Sequence, residues 1–171
     1  MNILVVNGSP RANGKTASMC NAFTEAAREC GHEVTLVDVA KKKIAGCLAC
    51  EYCHTKGDGN CAQKDDMQDI YPVLQEADML VMGSPIYYHG YSGQMQCFLS
   101  RIYALDKPKN LKKTALFLAS GDSDVYDGAI FAYHGNFTGY LETEDCGIFT
   151  VAGDDTTDEV NEKIREMARS L

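Results

Sequence analysis

Apolar and polar positions along this chain follow two periods in turn. Five short runs read as strands: Ile3–Val6, Glu33–Val39 with Val34, Leu36 and Val37 apolar, Asp78–Ser84, Thr114–Ala119 and Cys146–Val151. The runs Asp78–Ser84 and Thr114–Ala119 are nearly continuous, as in strands covered on both faces of a parallel sheet. Helical stripes separate them. Met19, Phe23, Ala26, Ala27 and Cys30 recur at three- and four-residue spacing and predict a helix over Gly14–Cys30, stopped by Gly31. Asp66 is placed to cap a second helix through Val73, Leu74 and Ala77, which Pro72 would kink. A third, about Gln94–Leu105, buries Met95, Phe98, Leu99, Ile102 and Leu105. Val125–Leu141 is helical in part, weakened by Gly128, Gly135 and Gly139. Thr156 and Glu159 form a capping-box pattern ahead of a last helix that buries Val160, Ile164 and Met167.

Strands alternating with helices in this way predict a doubly wound α/β fold. It is a five-stranded parallel sheet of order 2-1-3-4-5 in a three-layer sandwich. Right-handed crossovers then bring the loops Ser9–Thr16, Pro85–Gly90 and Ser120–Asp122 to one edge, where ligands of such sheets lie. The 171 residues fit one domain, with a cysteine-rich insertion at about 40–64 that is too long for an idle connector.

The net charge of −8 excludes a nucleic-acid partner, because a phosphate backbone needs a basic face. The basic runs Lys41–Lys43 and Lys107–Lys113 read as solvated loop edges. No apolar run reaches membrane-spanning length, and the first is too short for an export signal, so the expected location is the cytoplasm, with no membrane partner. Eight cysteines then point to metal, redox work or burial rather than to a disulfide framework. Cys20, Cys30, Cys97 and Cys146 are scattered and read as small core residues.

The candidate chemistry begins where the first strand breaks at Asn7-Gly8-Ser9-Pro10 and a helix starts at Gly14. Free N–H groups and the dipole of a helix start favour an anion there. Ser9, Asn13, Gly14 and Thr16 supply neutral donors, and Arg11 and Lys15 supply cations. A Walker A loop needs four residues between Gly and Gly-Lys-Ser/Thr; here Ser9–Asn13 are five, and Pro10 stiffens the turn. A P-loop nucleotide-binding protein therefore remains the lesser alternative. The second loop, Pro85-Ile86-Tyr87-Tyr88-His89-Gly90, offers a flat, partly apolar wall, and Ser120-Gly121 offers small polar groups. One phosphate, a polar spacer and a planar ring fit this set, and flavin mononucleotide (FMN) is the economical ligand.

Cys47, Cys50, Cys53 and Cys61 form a separate, tight quartet. C-x2-C-x2-C with a fourth cysteine nearby favours a [4Fe–4S] cluster over zinc, whose sites pair two separated knuckles. Reduced thiols or a partial disulfide are the remaining reading of the same residues. Asp65-Asp66 reads as a helix-start pair rather than an acid/base pair.

GSPRANGKT at Gly8–Thr16 and SPIYYHGYSGQMQCFLSR at Ser84–Arg101 resemble the two diagnostic segments of the flavodoxin-like NAD(P)H-dependent FMN reductases. CLACEYC…GNCAQKDDM at Cys47–Met67 resembles their iron–sulfur flavoprotein branch. Lys15 departs from the Asn usual there and keeps a donor. Beyond Thr114 the likeness rests on fold order alone. The resemblance implies that Ser9, Arg11, Asn13, Lys15 and Thr16 hold the FMN phosphate and that Pro85–Gly90 line the ring. It further implies that Ser120 and Gly121 approach the ribityl chain or pyrimidine edge. His89 becomes a candidate donor to the flavin. It implies an oxidoreductase that takes a hydride from NAD(P)H and passes electrons to a quinone, a flavin or another small acceptor, with no catalytic acid or base of its own. It also implies a homodimer or homotetramer. The alternative within the same family is an electron carrier using FMN plus a [4Fe–4S] cluster.

Overall fold

The computed structural model describes residues 1–171. In chain order the elements are β1 (Asn2–Asn7), α1 (Lys15–Glu29), β2 (Glu33–Asp38), the four-residue α2 (Tyr52–Thr55), α3 (Met67–Glu76), β3 (Met79–Tyr87) and β4 (Gly90–Tyr91). They continue with α4 (Gly93–Ile102), β5 (Lys113–Ala119), α5 (Asp127–Tyr133), β6 (Glu144–Val151) and α6 (Asp158–Arg169). Five strands form one parallel sheet in the order β2-β1-β3-β5-β6, and β4 folds back antiparallel on the end of β3. With that short hairpin strand set aside, this is the expected 2-1-3-4-5 order.

Period-two alternation explains the layers. Ile3 and Val5 of β1 face α1 and α6 with Met79, Val81, Phe23 and Ile164. Leu4 and Val6 face the other way, with Leu80, Met82, Leu74, Phe98 and Tyr133 from β3 and the helices of the opposite layer. Both faces of the central strands are dry, so apolar residues occupy successive positions. At Gly83 an added Cβ would collide with the Cys20 sulfur and crowd Thr16, so this glycine lets α1 lie close on β3.

Several expected details differ. Asp66 does not cap α3: its carboxylate accepts from the Lys43 N–H (2.8 Å), and Asp65 accepts from Met67 (3.2 Å) instead. The capping box before α6 does not form, because Glu159 pairs with Lys163 one turn on (2.6 Å) and Thr157 occupies the cap position. α6 buries Asn161, Ile164 and Ala168, while Val160 and Met167 are half-buried. Cys30 is exposed, because it sits at the C-cap of α1 ahead of Gly31 with φ +84°. Cys20 is buried as expected, and Cys97 and Cys146 are half-buried. α5 runs into a seven-residue π-helix, His134–Tyr140, in the glycine-weakened stretch. β6 starts two residues early at Glu144, whose carboxylate pairs with Lys113 at the start of β5 (2.8 Å).

Candidate functional site

The loop after β1 is shaped by its own polar groups. The Asp38 carboxylate accepts from Asn7 Nδ2 (2.9 Å), and Asn7 Oδ1 accepts from the Ser9 N–H (3.0 Å). Ser9 Oγ then accepts from the Arg11 N–H (3.2 Å), and Gly14 N–H donates to Arg11 O (3.1 Å). Below the loop, Gly8 N–H donates to Gly83 O (2.8 Å). That donor belongs to the sheet and not to a phosphate cradle, which tells against a Walker loop. The first bond inside α1 is Ser18 N–H to Gly14 O (3.0 Å), so the N–H groups of Lys15, Thr16 and Ala17 are left for another acceptor. The first turn carries no acidic residue to meet the dipole.

Ser9, Arg11, Asn13, Gly14, Lys15, Thr16, Pro85, Ile86, Tyr87, Ser120 and Gly121 line one cleft of about 580 Å³, together with Ala119 and Gly153. This volume suits a nucleotide-sized ligand. Lys15 Nζ donates to the carbonyls of Ala152 (3.3 Å) and Gly153 (2.5 Å), tying α1 to the loop after β6. On the far wall Ser120 donates to the Tyr126 hydroxyl (2.7 Å), which donates to Val151 O (2.8 Å). Burial pushes the Tyr126 phenol up, so it stays neutral and keeps that donor.

Tyr88, His89 and Gly90 stand outside the cleft wall. β3 and β4 pair at Tyr87 and Gly90, which makes Tyr88-His89 the two-residue turn, with φ +49° and +62°. Both central residues of such a hairpin need the left-handed region, which is uncommon for residues with a Cβ. The turn leaves Tyr88 fully exposed and Tyr87 half-exposed at the cleft mouth. Ser92, Ala119 and Gly153 escape the sequence reading. Ser92 is fully buried: it donates to Gly8 O (2.8 Å) and accepts from Met95 N–H (3.2 Å), capping α4 while it holds the loop after β1. Its signal was a serine just before an apolar helical stripe.

A second, small cavity is lined by Cys47, Cys50, Cys53 and Cys61 together with Leu48, Glu51, Arg101 and Tyr103. Cys61 is buried, Cys53 half-buried, and Cys47 and Cys50 are exposed. The connection that carries them turns sharply at Ala49, Glu51 and Asp58, all at positive φ. It is tied down by Ser100 Oγ, which accepts from Cys47 N–H (3.1 Å), and by Gln63, which donates to Gly46 O (3.1 Å). Burial pushes the Cys53 thiol up, and the nearby Cys61 adds to it. No three His, Cys, Asp or Glu side chains converge closely enough to hold a single metal ion. Four cysteines on one small cavity are, by donor chemistry, the ligand set of a [4Fe–4S] cluster.

Behind these cysteines lies the most deeply buried charge in the chain. Arg101 is 1% exposed, and its guanidinium donates to Asp65 through Nη1 (2.6 Å) and Nη2 (3.1 Å). Burial raises the Asp65 pKa, and hydrogen bonds from Arg101, Ala45 and Met67 outweigh it, leaving the carboxyl below its ordinary range. Burial opposes the Arg101 charge as well, and Asp65 and Tyr71 outweigh it, so the guanidinium stays protonated. Burial pushes the Tyr71 phenol up to about 12.

This chain resembles known proteins in sequence and in fold. An iron-sulfur flavoprotein of Archaeoglobus fulgidus is 31% identical over 135 residues, covering 79% of this chain and 56% of the relative. One of Methanocaldococcus jannaschii is 37% identical over 114 residues, covering 66% and 57%. The chain thus spans little more than half the length of these curated relatives. Among solved structures, an FMN-dependent NADH-azoreductase of Bacillus anthracis in complex with FMN superposes with a TM-score of 0.70 at 14% identity, covering 100% of this chain and 99% of that one. An NAD(P)H:quinone oxidoreductase of Methanothermobacter marburgensis gives a TM-score of 0.70 at 14% identity, covering 98% and 92%. At such identities these superpositions speak for the fold alone. No helix is long and apolar enough to cross a membrane. The family model described as NADPH-dependent FMN reductase matches residues 1–144, and the chain belongs to that family.

Proposed function

We propose that this protein is an FMN-dependent oxidoreductase that takes reducing equivalents from NAD(P)H and delivers them to a small acceptor such as a quinone or a flavin. The convergence of three sequence-distant loops on one cleft at the sheet edge carries this reading. FMN would supply the hydride and electron chemistry, and the chain supplies binding and orientation. The N–H groups of Lys15, Thr16 and Ala17, with Ser9, Asn13 and the Arg11 cation, would take the phosphate. Lys15 holds the Ala152–Gly153 backbone to the start of α1 beside the cleft. Pro85, Ile86 and Tyr87 give the ring an apolar wall, and Ser120 and Gly121 present polar edges opposite. No side chain in the cleft is required as an acid or base.

Cys47, Cys50, Cys53 and Cys61 would hold a [4Fe–4S] cluster, which makes the chain a candidate for electron transfer between two groups. The shared cavity of the four thiols supports this, as do the iron-sulfur flavoprotein names of its relatives. A reducing compartment, the cytoplasm, suits eight free cysteines. A homodimer suits the exposed Tyr87 and Tyr88 on the hairpin and Phe131 on α5, which packs against that hairpin.

The test is an absorption spectrum of protein purified without oxygen, followed on adding NADPH or NADH. The expected result is a flavin spectrum that bleaches with a nicotinamide nucleotide. Bleaching by dithionite alone would leave an electron carrier in place of the reductase. Colourless protein that takes up no added FMN would overturn the flavin reading.

A further inference from the structure

We propose that Arg101 is the positioning residue of the four-cysteine site: it fixes the loop that carries the thiols, and its charge raises the reduction potential of the cluster held there. The inference rests on the cluster reading above. A guanidinium is rarely taken fully out of water, because desolvating it is costly unless it is paired and hydrogen-bonded. Arg101 meets that condition by reaching three separate parts of the chain. Nη1 donates to Asp65 Oδ2 (2.6 Å) and to Ala45 O (3.0 Å), Nη2 donates to Asp65 Oδ1 (3.1 Å), and Nε donates to the Tyr71 hydroxyl (3.3 Å).

Ala45 lies just before Cys47, and Asp65 lies just after Cys61. One side chain on α4 therefore clamps both ends of the cysteine-bearing segment. Asp65 reinforces the clamp by accepting from the Ala45 N–H (3.0 Å). Tyr71 returns the contact from α3, donating to Arg101 O (3.1 Å). Lysine could not replace this fork: a single ammonium offers three donors from one point and cannot span Asp65, Ala45 and Tyr71 together.

The same residue borders the cavity of the four cysteines. It has five N–H donors, and the bonds above use both on Nη1, the one on Nε and one on Nη2. The second Nη2 proton has no acceptor in the protein, and Arg101 lines the cavity that the four cysteines share. Asp65 does not line it. Of this ion pair, only Arg101 borders the cavity that would hold the cluster. A fixed positive charge beside a cluster favours the more negative, reduced form, and net charge and hydrogen bonds to sulfur are the levers that set such potentials.

The experiment compares wild type, Arg101→Gln, Arg101→Lys and Asp65→Asn, each reconstituted anaerobically with iron and sulfide. Iron per chain is counted, and the cluster potential is read by a redox titration followed by paramagnetic resonance. Bound FMN serves as the folding control. Arg101→Gln should lower the potential and Asp65→Asn should raise it. Arg101→Lys should keep the potential near wild type while retaining less iron. Opposite shifts from the two neutral variants cannot come from a loosened loop. Arg101→Gln with full iron and an unchanged potential would overturn the inference, as would shifts of the same sign. If Arg101→Gln holds no iron, Asp65→Asn decides: a raised potential supports the charge role and an unchanged one overturns it. Wild type that takes up no iron while binding FMN would overturn the cluster reading itself, a result distinct from the others.

Discussion

The two candidate sites of this chain are built in opposite ways. The cleft at the sheet edge is a product of main chain: strand ends, a helix start and turns whose N–H groups are placed by the register of β1, β3 and β5. The four-cysteine site is a product of side chains on a long connection between β2 and α3 that holds one 3-10 turn, Val39–Lys41, and the short α2. Ser92 anchors the first and Arg101 the second, on one helix, nine residues or about 13 Å apart along its axis. A site made by strands inherits their rigidity and tolerates the loss of a side chain better than the gain of a Cβ. A site made by a loop depends on the few side chains that tie it down.

That contrast predicts a double dissociation. Cys53→Ser should abolish cluster retention, with iron falling to background, and leave FMN affinity within twofold of wild type. Gly83→Ala should do the reverse. Its methyl must displace Cys20 or Thr16 under the loop after β1. Overpacking of this kind costs about 1–3 kcal/mol, and FMN affinity should fall about tenfold or more, about 1.4 kcal/mol per decade. Iron and FMN contents of both variants check the pair. If each variant loses both groups, the two sites are one cooperative unit and the contrast fails.

The same contrast explains what was legible in the sequence. The sheet and its order could be read because Leu4 and Val5, facing opposite layers, are both apolar, and only a doubly covered strand needs that. The place of Ser9–Thr16 at the cleft could be read because its polar groups are local in sequence. Arg101 could not. In sequence it is an ordinary cation near a helix end, and its partner Asp65 lies 36 positions earlier. The capping errors share one cause: Asp66 and Glu159 each had a competing partner, Lys43 N–H and Lys163, that a cap pattern does not show. For Tyr88 and His89 the sequence predicts a loop at the end of β3, and a loop is there. The hairpin then turned their side chains away, because β3 continues past the sheet edge and pairs with β4.

Within the cleft, the two cations should separate. Arg11 is exposed and its guanidinium has no acceptor in the protein, so it is free for a phosphate. Lys15 is held by the carbonyls of Ala152 and Gly153, and as a cation in the first turn it is opposed by the helix dipole. Arg11→Ala should weaken FMN binding about fivefold and flatten its dependence on ionic strength, since exposed charges are screened. Lys15→Ala should cost about half as much in binding. It should speed backbone amide exchange at Gly153, the loop it releases. Fluorescence titration of apoprotein with FMN at low and high salt checks the ranking. A larger loss for Lys15→Ala would mean that the ammonium leaves the carbonyls for the phosphate.

The smallest effect lies at Asp38, where the two regions meet: its strand ends beside the loop after β1, and its chain continues into the cysteine-bearing connection. Burial raises its pKa, and hydrogen bonds from Lys41 and Asn7 outweigh that, leaving the carboxyl below its ordinary value. The unfolded chain therefore takes up the proton first as pH falls. The stabilisation is fully present above the ordinary aspartate pKa of about 3.9, and it is lost as pH drops through the lower folded value. Asp38 is partly solvated, so the gain is that of a surface pair, about 0.5 kcal/mol, or about 1–2 °C in Tm for a chain of this length. Asp38→Asn should melt lower than wild type by that margin near pH 7, and the gap should close below about pH 4. A gap that does not narrow as pH falls below the ordinary aspartate pKa would assign the difference to lost hydrogen-bond geometry at Asn7, not to charge.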